Sequence, residues 1–269
     1  MFVSAFSSAC PGRANEDFAI WDDDVVVLLD GAGMPNELRS PCIHGVSWFA
    51  RTLGVALCSA ASSSDTLPEA LASAIVHTAE LHRDTCAVDD PLSPSATLAM
   101  LRVRGDVVEW LVLGDCTLLL DDGRSVEGIS DNRLAAVARE ERSAMKAALP
   151  DTAERRQLHA HLVETERALR NHPGGYWVAA ADPQAASAAL HGSYPRGDVA
   201  RAALLTDGAA RLTTTFAAAD WAECLDLLEH QGPEPLISRV RELELSDIST
   251  TRWPRSKPHD DATAVFLRP

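Results

Sequence analysis

The chain has 269 residues, 46% of them apolar, and a formal charge of −15 at neutral pH. That acidic balance lacks the basic footprint a general nucleic-acid surface needs. No apolar run approaches the ~20 residues of a membrane span, and the N-terminus lacks a basic start followed by a long apolar core, so the expectation is a cytoplasmic protein with no membrane partner.

The first clear element is the five-residue apolar run at 25–29, a buried strand that ends in Asp30. "SPCIHGVSWFARTLGVALCSAAS" places Ile43, Val46, Phe49, Ala50, Leu53 and Leu57 at helical spacing, and "SSSDTLPEALASAIVHTAELHRD" supplies start signals, a proline in the first turn and a second helix. After the loop "DDPLSP", residues 97–103, 107–113 and 117–120 read as a β-meander with turns at 104–106 and 121–123. The segment 132–172 is charged and broken by Pro150, which predicts two helices forming a hairpin or flap. "HPGGYWVAAAD" reads as extended, "RAALLTDGAARL" as a strand ending in acid, and helices are expected over 221–230 and 234–245. "DDATAVFLRP" closes the chain with an acidic pair feeding a strand. With no long linker or repeat, one mixed α/β domain over 1–269 is the economical reading.

Carboxylates therefore recur at the ends of apolar strands: Asp30, Asp115, Asp207 and, in reverse order, Asp260-Asp261. If these ends converge, the acids repel one another and resist ionisation unless something positive sits among them. An all-oxygen set suits a hard cation such as magnesium, manganese or calcium. The six cysteines (10, 42, 58, 86, 116 and 224) lie far apart, without a C-x-x-C pair or paired histidine spacing. That pattern argues against a disulfide framework and a common zinc site, and reads as small buried hydrophobes. A strand followed by Asp-Gly is also an ordinary turn signal, and Asp22-Asp23-Asp24 and Asp121-Asp122-Gly123 are assigned to plain turns. Gly31 and Gly208 are expected to allow tight turns beside their aspartates and, lacking a β-carbon, to let a backbone carbonyl approach an ion.

In order, "NED", an apolar strand into "DGAG", "SATLAMLRVRGDVVEWLVLGDC", "LLTDGAARL" and "DDATAVFL" resemble the motifs of the metal-dependent type 2C (PPM) protein phosphatases, bacterial-type, over about 13–267. The resemblance implies an α/β (α+β) fold, a four-layer α-β-β-α sandwich of two mainly antiparallel sheets flanked by helices, with 132–172 as a flap beside the cleft. It implies hydrolysis of phosphoserine or phosphothreonine on a phosphoprotein substrate, with two Mn2+ or Mg2+ ions activating water. Asp30 would bridge the ions, the Gly31 carbonyl and Glu16 would complete one, and Asp207 and Asp260 would hold the other. Asp17 would hold metal-bound water, and Asp115 matches a position linked to a third, weaker ion.

The sequence also departs from the family. Arg13 sits three residues before Glu16 rather than four, and is either a phosphate clamp or a solvated arginine. Met34 replaces a glycine, Cys116-Thr117 replaces Ser-Arg, and no obvious general acid follows Asp30-Gly31, with His44 and His259 the available substitutes. His259 reads more readily as a local structural partner. An active phosphatase is the leading expectation, against a pseudophosphatase or regulatory binding module on the same fold, or a small-molecule phosphoesterase.

Overall fold

The computed structural model describes residues 1–33, 40–149 and 152–269; Met34 and Pro150 lie outside them. Its strands are β1 (Phe2–Ser8), β2 (Phe18–Trp21), β3 (Val25–Ala32), β4 (Ser95–Arg104), β5 (Val107–Leu113), β6 (Thr117–Asp121), β7 (Val126–Ser130), β8 (Leu190–Pro195), β9 (Arg201–Leu205) and β10 (Ala262–Arg268). The helices are α1 (Val46–Ser63), α2 (Leu67–Glu80), α3 (Arg133–Ala136), α4 (Arg139–Ala147), α5 (Ala153–Leu169), α6 (Asp207–Thr214), α7 (Trp221–Gln231) and α8 (Pro233–Ser246). One sheet has the order β1-β10-β9-β6-β7 and the other β2-β3-β4-β5-β8, with every pairing antiparallel.

The strand β3 shows why its sequence is apolar at consecutive positions. Side chains alternate across a strand, so Val25, Val27 and Leu29 pack with α1 and α2 residues such as Leu53 and Leu71. Val26 and Leu28 face the opposite sheet, against Leu118, Leu204 and Val265. On the far side, Leu119, Ala203, Leu205 and Phe266 pack with Leu212, Leu225 and Leu236 of the helices α6, α7 and α8. The result is four layers, helices–sheet–sheet–helices, with one core between the sheets and one under each helical layer.

Several local expectations change. Among the described residues, the 132–172 segment carries three helices, because the single turn of α3 precedes α4 and α5. The extended reading of 172–182 reduces to isolated bridges, Ala96 with Ala179 and Arg170 with Tyr176. The glycines beside the aspartates are not turn residues. Gly31 lies inside β3, where a β-carbon would stand 2.6 Å from the Glu16 carbonyl oxygen, and Gly208 lies inside α6, where one would collide with the Asp261 carbonyl. Both permit close backbone approach.

The assigned turns are turns: Asp22 Oδ1 accepts from the Asp24 and Val25 amides, and Asp122 Oδ1 from the Arg124 and Ser125 amides. All six cysteines are free thiols and five are buried. Their separation in sequence does not keep them isolated, however. Cys42 and Cys86 meet each other together with His44 and His82, with one ligating atom from each residue within 4.8 Å of the others.

Candidate active site

The antiparallel registers bring the motif ends to one end of the sandwich. In one sheet, Asp30 lies opposite Thr97 and Leu98 opposite Leu113, so the end of β3, the start of β4 and the end of β5 coincide. In the other, Leu205 lies opposite both Thr117 and Ala264, while Ser8 pairs with Ala262. Asp30 therefore comes from the first sheet, and Asp207 and Asp260 follow or precede strands of the second. Asp115 sits in the turn that passes between them.

Asp207 is not simply a strand-end acid. It is the first residue of α6, with Thr206 as N-cap, where the unsatisfied amides and helix dipole favour negative charge. Asp17 is buried, and its Oδ2 accepts from the hydroxyls of Thr206 (3.0 Å) and Thr263 (2.7 Å), while its buried Oδ1 has no hydrogen-bond partner. Asp261 ties down the approach to β2 by accepting from the Cys10 amide (2.6 Å) and the Glu16 amide (2.7 Å). Arg13 is exposed in the turn that its amide closes on the Cys10 carbonyl, and its charge partly offsets the rise at Glu16.

The electrostatics are those of acids held together. Burial pushes Asp17 up to about 8 against the two threonine hydrogen bonds, with Asp261 and Asp207 adding to the rise. Asp30 stands well above the usual carboxylate range through burial and then the charges of Asp17, Asp207, Asp115 and Asp260. Asp115 rises to about 6 through burial and Asp207. Asp207 rises through burial and Asp260, and Glu16 through burial and Asp261.

Two cations reach this cluster that the motif reading missed. Arg211, buried on α6, donates from Nη2 to Asp260 Oδ2 (2.9 Å) and from Nη1 to the fully buried Glu244 (2.6 Å). Lys257 donates to Asp260 Oδ1 (3.0 Å). Neither residue stands in a pattern that could have announced it; the only signal was the excess of acid itself. His259 is the structural partner expected, with Nδ1 2.9 Å from Glu244 Oε2. His44 belongs to the Cys42–Cys86 group, so it is not placed as a general acid. Cys116 is buried, with Sγ 3.4 Å from Thr97 Oγ1.

Oxygen donors that resist ionisation together, and an orphaned buried carboxylate oxygen among them, fit hard divalent cations. The family model for protein phosphatase 2C matches residues 12–244. The chain belongs to the protein phosphatase 2C family. Solved structures of other phosphatases share the fold of this family member. They include the catalytic domain of the serine threonine protein phosphatase PstP in complex with two manganese ions (TM-score 0.56, 15% identity, 98% of this chain and 96% of that one). Stp1 from Staphylococcus aureus matches with TM-score 0.57 and 14% identity over 99% of this chain and 94% of its own. The PPM phosphatase MsPP from Mycobacterium smegmatis, in complex with cacodylate, matches with TM-score 0.55 and 19% identity over 99% and 97%. No curated protein matches the chain in sequence.

Proposed function

We propose that this protein phosphatase 2C member hydrolyses phosphoserine and phosphothreonine on a protein substrate, with two divalent cations, Mn2+ or Mg2+, held by the clustered acids. The observation that supports this reading most is the convergence of Asp30, Asp207 and Asp260 from two different sheets around carboxylates that burial and mutual repulsion keep from ionising. Asp30 would serve both ions, with Glu16 and the Gly31 carbonyl completing one and Asp207 and Asp260 the other; Asp115 would hold a third, weaker ion. When bound, such ions make a nucleophile available from water at neutral pH and neutralise charge on the phosphoryl oxygens.

The chain's own residues prepare this. The Thr206 and Thr263 hydroxyls fix Asp17, so that its free Oδ1 is positioned to hold a water molecule. Asp261 holds the backbone that carries Glu16 against the cleft. Arg211 orients Asp260 from behind while Lys257 neutralises its other oxygen. Arg13, exposed on the adjoining turn, is the group available to grip a substrate phosphate with a guanidinium fork. The helices α3, α4 and α5 form the flap that would meet the phosphoprotein.

One observation favours the alternative, a pseudophosphatase that binds without turnover: both oxygens of Asp260 are already engaged by cations. Lys257 is largely exposed, with 57% of its side chain accessible, and can swing away to release one of them. Phosphate release from phosphoserine and phosphothreonine peptides, set against small phosphomonoesters, tests the proposal. Turnover of the peptides that Asp30→Asn abolishes supports a protein phosphatase. Turnover confined to small esters makes it a small-molecule phosphoesterase, and binding of peptide without turnover makes it a binding module.

A further inference from the structure

The Cys42–His44–His82–Cys86 group lies outside the acidic centre. Its chain segments are the short stretch before α1 and the stretch that leaves the end of α2, brought together because α1 and α2 pack side by side. The Ala87 amide donates to the Pro41 carbonyl (3.3 Å), stitching the two segments. Cys42 Sγ lies 3.9 Å from His44 Nδ1 and 3.6 Å from His82 Nδ1, and Cys86 Sγ lies 3.4 Å from His44 Nδ1.

Zn–S bonds of ~2.3 Å and Zn–N bonds of ~2.0 Å at tetrahedral angles set sulfur–nitrogen edges of roughly 3.5 Å. The observed separations bracket that edge. The surroundings are built as well. Cys42, His82 and Cys86 are buried, and Val88 and Ala181 pack with the two cysteines. Trp48 stacks on His44 with centroids 4.3 Å apart and meets the edge of His82 at 5.0 Å, which fixes both rings.

We propose that Cys42, His44, His82 and Cys86 bind a zinc ion as a closed four-coordinate site, distinct from the acidic centre and structural in role. Two thiolates and two imidazoles are a donor set that selects zinc over magnesium or manganese, and four protein ligands leave no position for substrate. Binding displaces the thiol protons into solvent. The site would clip the start of α1 to the end of α2. The start of α1 that follows it touches the segments of the acidic centre: Ser47 donates to the Asn15 carbonyl (2.7 Å) and the Val46 side chain lies beside Gly31. The sequence signature is C-x-H followed, one helical hairpin later, by H-x-x-x-C.

The test uses the full chain purified from zinc-supplemented cells and washed with a chelator that strips manganese from oxygen ligands. About one zinc per chain is expected to remain, with an X-ray absorption spectrum showing two sulfur neighbours at ~2.3 Å and two nitrogen neighbours at ~2.0 Å. Cys42→Ser combined with Cys86→Ser should lower retained zinc at least tenfold, whereas Asp207→Asn should leave it unchanged. Zinc with oxygen and nitrogen neighbours only, no retained zinc, or a Cys42–Cys86 disulfide in the non-reduced protein would overturn the proposal. If the double variant does not fold, the spectrum of the unaltered chain decides alone. Because the readouts are zinc content and sulfur coordination, a failed phosphatase assay does not bear on them.

Discussion

At the level of single residues, the central tension is negative charge. Arg211 relieves part of it, bridging Asp260 in the acidic cluster to Glu244 in the helical layer, where Glu244 also accepts from Arg241. Removing one partner of a buried ion pair leaves the other uncompensated, which costs about 3–5 kcal/mol. Arg211→Met is therefore expected to lower stability by about that amount in urea unfolding, and to release Asp260. A loss below about 1 kcal/mol would show that the remaining partners suffice. Gly208 makes a second residue-scale demand. Any β-carbon there meets the Asp261 carbonyl, so Gly208→Ala should displace the segment that carries Asp260 and Asp261 and reduce activity at least tenfold, measured as initial rates on folded protein.

At the level of elements, the sequence announced those that are buried on both faces. The strands β3, β6, β9 and β10 carry apolar runs, and β4 and β5 are mostly apolar around Arg102 and Glu109, because they are sandwiched between a helical layer and the other sheet. The strands β1 and β8 escaped notice because each lies at a sheet edge, half exposed, in the polar stretches FVSAFSS and LHGSYP. Helix α6 escaped for another reason: Thr-Asp-Gly reads as a turn, and only the structure shows that it is an N-cap followed by a first turn. Asp30, Asp115, Asp207 and Asp260 were legible because each ends or begins an apolar strand, whereas Glu16 and Asp17 were reached only through the resemblance to the family's motifs. Arg211 and Lys257 were not, since contacts between distant segments leave no local period, and the C-x-H and H-x-x-x-C halves of the Cys–His group are joined only by the fold.

The end of α8 offers a pH prediction away from the cleft. Burial opposes ionisation of Asp247, but amides of Arg252, Trp253 and Thr251 and the Arg255 guanidinium outweigh it and hold its carboxyl well below the usual range. A depressed carboxylate contributes stability that is complete above its unfolded value, near pH 4, and is lost as pH falls through the folded value. Asp247→Asn should therefore destabilise at neutral pH, with the difference from the unaltered protein shrinking as pH is lowered below about 4. Equal destabilisation at every pH would contradict this account.

At the level of the whole molecule, the two sheets meet at one end through acids that repel each other. Asp17, Asp30, Asp115 and Asp207 all have raised values, so their contribution is fully present below the unfolded carboxylate range and is lost as pH rises through the folded values, about 6 for Asp115 and about 8 for Asp17. In chelator, the melting temperature is expected to fall as pH rises from about 5 to about 8, and a divalent cation should remove much of that fall. A profile unaffected by cation would mean that the cluster does not bind one.

The most direct measurement is hydrolysis of an aryl phosphate by the purified chain with manganese, with magnesium and with chelator, beside the Asp207→Asn variant. Cation-dependent hydrolysis at the acidic cluster requires turnover with a divalent cation that is lost in chelator and falls at least a hundredfold in Asp207→Asn. Turnover that persists in chelator, or that Asp207→Asn leaves intact, would contradict it, as would folded, cation-bound protein with no turnover at all.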